Sequence, residues 1–193
     1  KKFVKSRFQL GLSQATLGRY GAAADSFTLA LEGREDPRIR YELANALLRQ
    51  GRSSAAQIEY KKVLDFSANR VLLGYANARL GDIADDRKDY TGAVQQYRLA
   101  VRYYPAKFEF SFNLGLLLLK KGDRDEALTV FQGLLQTAPD ARIAALARSL
   151  GELQYDAGRY GEALRYFRIS LARQEDIDVA AVVADLHYLR REY

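Results

Sequence analysis

The chain has 193 residues, 30 Lys and Arg against 24 Asp and Glu, and no cysteine, methionine or tryptophan. That length can bury a core without staples, and the lack of cysteine excludes disulfides, thiolate nucleophiles and thiolate zinc sites while leaving the compartment unassigned. The formal charge of +6 arises in residues 1–107, with 19 basic against 11 acidic side chains; residues 108–193 carry 11 against 13, and no basic run exceeds two residues, a pattern of solvated surface rather than a polyanion site.

In chain order, one pattern recurs five times. The first copy (about 4–36) has Leu10-Gly11, a break at Gly18, then Ala23 and Phe27. The second (37–70) has Leu43-Ala44, Gly51, Ala56 and Tyr60, and the third (74–107) has Leu80-Gly81, Lys88 where the others have glycine, Ala93 and Tyr97. The fourth (108–141) has Leu114-Gly115, Gly122, Ala127 and Phe131, and the fifth (144–177) has Leu150-Gly151, Gly158, Ala163 and Phe167. Leucine precedes alanine by 13 residues in every copy, whereas the alanines lie 33, 37, 34 and 36 apart, so length varies outside a rigid unit. Helical spacing on both sides of the break predicts two helices per copy, with glycine ending the first because it takes the left-handed conformation without steric cost. Small residues where the two helices cross allow close approach, and leucine and the aromatic fill the space beside them.

This pattern resembles the tetratricopeptide repeat, W-x2-L-G-x2-Y, then A-x3-F, then P, with a period of 34. The resemblance spans about residues 4–177, with Pro105 and Pro139 in the proline slot and Glu35, Ala68 and Glu175 in its place elsewhere. The tryptophan slot holds Arg7, Arg40, Asn77, Ser111 and Ala147, and the tyrosine slot holds Gln14, Leu47, Ala84, Leu118 and Gln154. The resemblance implies an all-α, right-handed α-α superhelix (solenoid) of about five helical hairpins over residues 1–177. Residues 178–193 follow as a C-terminal capping helix or the start of a further repeat, with Val179, Val182, Val183, Leu186 and Leu189 on one stripe.

Nothing in the sequence assembles a catalytic site. His187, the single histidine, has Asp185 two residues away, off its helical face. No phosphate-binding loop, paired-histidine zinc motif or calcium loop occurs, and Asp82, Asp85, Asp86 and Asp89 spread along a helix too far to wrap one ion. The reading is a non-enzymatic protein with no cofactor and no metal. Its longest apolar run near a helix, residues 114–119, is far short of the roughly 20 residues that cross a bilayer.

In the family it resembles, first helices line the concave side. Rotation from the leucine then places Phe8, Arg38, Tyr41, Asn45, Arg49, Tyr75, Arg79, Asp82, Asp86, Phe112, Asn113, Arg148 and Glu152 on or beside that side. Rings provide contact area at low entropic cost and Asn pairs with both groups of an extended backbone, so the expected function is a scaffold that binds an extended or helical segment of a partner protein. Co-chaperone members clamp a terminal carboxylate with Lys and Asn; the corresponding slots here carry Phe8, Leu12, Glu42, Tyr75 and Arg79, and the resemblance does not extend to that clamp. The alternatives are an assembly or regulatory module of a larger complex that uses its outer or terminal helices, self-association, and RNA binding, which the aspartates amid the face disfavour.

Overall fold

The computed structural model describes residues 2–32 and 34–189, without the side chains of residues 2 and 189. The side chain of Leu189 in the terminal stripe, and residues 190–193, therefore lie outside the described set. Its secondary structure is helical throughout: α1 (Lys2–Thr16), α2 (Tyr20–Leu31), α3 (Pro37–Arg49), α4 (Ser53–Phe66), α5 (Arg70–Asp86), α6 (Tyr90–Tyr103), α7 (Phe108–Lys121), α8 (Arg124–Leu135), α9 (Asp140–Asp156), α10 (Tyr160–Leu171) and α11 (Ile177–Leu189). Two compact units result, residues 1–106 and 107–193. In the first, α1/α2, α3/α4 and α5/α6 pair as hairpins and successive hairpins stack; in the second, α7/α8 and α9/α10 pair and stack, and α11 lies on α10. No described helix is long and apolar enough to cross a membrane.

Each hairpin is built on one contact. Ala23, Ala56, Ala93, Ala127 and Ala163 are fully buried, and the ring four residues on (Phe27, Tyr60, Tyr97, Phe131, Phe167) is at most 3% exposed. In four hairpins that ring rests on a glycine of the first helix. A Cβ added at Gly11, Gly81, Gly115 or Gly151 would sit 2.5, 2.5, 2.3 or 2.4 Å from it, inside van der Waals contact. The fully buried Ala44 occupies this slot in the α3/α4 hairpin.

The turn between paired helices is equally regular. Gly18, Gly51, Gly122 and Gly158 have φ of 73, 76, 99 and 72°, and Lys88, at the corresponding turn after α5, is forced to 61°. A side chain there costs about 1–2 kcal/mol. The tryptophan slot is filled differently from the family pattern: Arg7 donates to Leu29 O (2.8 Å) and pairs with Glu32 at 3.2 Å, and Arg40 bridges Glu35 and Glu59. Leucine ahead of the small residue is at most 7% exposed in α3, α5, α7 and α9, but Leu10 is 53% exposed, since α1 has no helix before it among the described residues.

Two substitutions test this account. Lys88→Gly raises stability, by up to about 1 kcal/mol once the extra freedom of an unfolded glycine is subtracted. Gly151→Val lowers it by about 1–3 kcal/mol through overpacking against Phe167. Urea unfolding followed by circular dichroism reads both, and an unchanged midpoint for either removes the corresponding argument.

Candidate partner-binding site

The first-helix positions two residues before and two after the leucine meet the hairpin's own ring. Phe8 packs on Phe27 with centroids 5.9 Å apart, Tyr41 on Tyr60 at 5.6 Å, and Phe112 on Phe131 at 5.6 Å. Each is half-buried, so part of a ring expected to meet a partner already serves the hairpin. Tyr75 instead faces Tyr104 at 6.2 Å, and Phe112 also stacks on Phe108 at 5.6 Å.

In four of the five hairpins ring identity matches the chemistry of the position two after the leucine. The Tyr60 hydroxyl donates to Asn45 Oδ1 (2.6 Å), and the Tyr97 hydroxyl donates to Asp82 Oδ1. The corresponding residues beside Phe27 and Phe131 are Leu12 and Leu116, which need no polar partner. Beside Phe167 stands Glu152, whose charge is met by Arg148 (Nε to Oε1, 2.8 Å). Asn45 Nδ2 donates to Glu42 at 3.2 Å and the Asn45 amide also hydrogen-bonds the Tyr41 hydroxyl, leaving one Oδ1 lone pair for a further donor. Arg79 donates to Asp82 Oδ2 at 3.1 Å and lies against Tyr41. Burial pushes the Tyr41 and Tyr60 hydroxyls above the ordinary phenol pKa, with Arg79 opposing the shift in both, so both are neutral near neutrality.

The first unit therefore gathers Tyr41, Asn45, Arg79 and Asp82 into one network. Asn45, Arg79 and Asp82, with Arg49 and Asp86, also line a groove of about 930 Å³ across α1, α3 and α5, whose wall includes Leu12, Glu42 and Leu48. Phe8 and Arg38 line a separate recess of about 680 Å³ on α1 and α3. In the second unit, Phe112 and the half-buried Asn113 lie on α7. Arg148 turns to Asp176 (2.7 Å) as well as to Glu152. Because Asp176 also accepts from Val179 N at 3.1 Å, this pair serves the start of α11. Sequence reasoning passed over Tyr60, Tyr97 and Glu42. The signal that could have found the two tyrosines is that Tyr replaces Phe in the ring slot only where Asn45 or Asp82 stands two after the leucine.

A tetratricopeptide repeat model matches residues 8–71, 78–142 and 112–176. The chain belongs to the tetratricopeptide repeat family. Residues 8–176 are accordingly an all-α helical-repeat array of the interaction-scaffold kind. It is 26% identical over 137 residues to the "Protein CTR9 homolog" of Arabidopsis thaliana, covering 68% of this chain but 12% of that protein. Among solved structures it is similar to MamA, with a TM-score of 0.77 at 17% identity over 89% of this chain and 92% of that one. It is also similar to YrrB, described as a TPR protein with an unusual peptide-binding site, with a TM-score of 0.73 at 19% identity over 93% and 90% of the two chains.

The tyrosine pairing is open to a double-mutant cycle. Tyr60→Phe and Asn45→Leu each cost about 1 kcal/mol, the first by removing the donor to the half-buried Asn45 and the second by leaving the hydroxyl of the buried Tyr60 without its acceptor. Together they recreate the Leu12/Phe27 arrangement and cost clearly less than the sum in urea unfolding. Simple additivity would mean that the hydroxyl contributes nothing through Asn45.

Proposed function

We propose that this repeat protein is a scaffold that receives an extended segment of a partner protein along its first helices, with the main site in the groove of residues 1–106. The observation that carries this reading is the groove itself. Three successive first helices bring Thr16, Asn45, Arg49, Arg79, Asp82 and Asp86 to one open surface of about 930 Å³, where polar groups are held in place by the hairpin core rather than by mobile loops. The remaining Oδ1 lone pair of Asn45 suits a peptide backbone N–H, and Leu12 and Leu48 offer apolar contact. That YrrB, of the same fold, is described as having a peptide-binding site supports the reading. On this reading residues 1–177 form the array and α11 covers its last hairpin. The face carries Asp82 and Asp86 beside Arg49 and Arg79, a broken positive track that suits a peptide better than a phosphate backbone.

Photo-crosslinking distinguishes this site from the alternatives. A benzophenone amino acid placed at Thr16 or Arg49, both exposed in the groove, should capture a discrete partner in the native cell. The same probe at Ile58 on α4 or Leu99 on α6, exposed on the second helices, should not. Asn45→Leu should weaken capture through the groove about tenfold. Capture only from Ile58 or Leu99 would assign function to the outer helices and overturn the groove.

A further inference from the structure

The first-helix face of residues 1–106 carries a second recess that the groove does not explain, at the N-terminal halves of α1 and α3. Its volume is about 680 Å³. Val4, the half-buried Phe8 and Ile39, 3% exposed, give it an apolar lining, and Lys5, Arg34 and Arg38 are its cations.

The two carboxylates on its wall are already engaged. Glu32 pairs with Arg7 at 3.2 Å, and Asp36 caps α3, accepting from Arg38 N at 2.9 Å. Lys5, Arg34 and Arg38, in contrast, form no ion pair among the described residues. The groove differs in this respect, because Arg79 there is matched by Asp82. The charge asymmetry therefore belongs to the recess.

Resting on the groove reading, we propose that the recess docks the part of the partner segment that carries a large apolar side chain flanked by carboxylates. The apolar side chain would sit on Phe8 and Ile39, and the carboxylates would meet Lys5 and Arg38. A ligand with charge alone would leave the lining wet, and one with an apolar group alone would leave three unmatched cations around it. Polarity follows as well: the acidic part of the segment lies at the start of α1 and α3, and the rest continues towards their C-terminal ends.

Panning a random dodecapeptide phage library against the whole chain tests this. Peptides with an aromatic or large aliphatic residue flanked by Asp or Glu should be enriched. Their affinity should fall about tenfold or more on Lys5→Glu/Arg38→Glu, and should weaken as salt rises. Both substituted residues are exposed, and an unchanged circular dichroism melt would show that the variant is folded. Enrichment of peptides without carboxylates overturns the proposal. So does binding that survives the double reversal yet is lost on Arg49→Glu, which leaves the groove reading standing. If no peptide is enriched the proposal also falls, and the crosslinking result alone decides the groove.

Discussion

The structure depends on a ring laid against a first-helix backbone that has lost its side chain. A glycine inside a helix costs about 1 kcal/mol relative to alanine, yet four of the five hairpins carry one at the crossing. A Cβ at those positions would lie about 2.3–2.5 Å from ring carbons, and no ordinary contact is that short. The glycine removes its own side chain so that the ring can fill the crossing, and burial of a whole aromatic outweighs the helix penalty. Close approach of the helices then fixes the depth at which neighbouring first-helix side chains emerge.

The character of the proposed binding face follows from that depth. The tip of the ring reaches the position two after the leucine: Phe27 and Phe131 stand beside Leu12 and Leu116, Tyr60 and Tyr97 beside an acceptor, and Phe167 beside Glu152, whose charge Arg148 meets. Tyr60 and Tyr97 thereby tie Asn45 and Asp82 to the hairpin core. Polar groups that would wander on a bare helix are held before any partner arrives, which lowers the entropic cost of binding. On one face the first unit thus offers a mixed, nearly balanced groove and a cation-rich recess with an apolar lining. The second unit spends comparable residues internally, with Arg148 committed to both Glu152 and Asp176.

Several expectations drawn from the sequence met their test in particular residues. The all-α hairpin architecture was legible because the glycine, alanine and ring slots repeat at fixed spacing, and spacing along a helix translates directly into a shared face. Lys88 was legible as an exception but not as a residue at a φ of 61°. Leu10 carries the same letter as four buried leucines and is 53% exposed, because burial depends on what stands opposite. For the site, helical rotation gave a face but not the partners on it. Phe8, Tyr41 and Phe112 belong half to their hairpins, and Asn45 has most of its hydrogen-bonding positions already used.

What the sequence determined by itself is the repeated unit: two helices, a left-handed turn, and a small residue facing a ring. Those features arise from neighbours within one hairpin, whose geometry is set by the 3.6-residue turn and the absence of a Cβ. Only the tertiary structure decided which polar residues are spent on each other and where the face opens into a recess. Those outcomes depend on side chains meeting from different helices, as Arg79 of α5 does with Tyr41 of α3, and no spacing within a single helix encodes such a meeting.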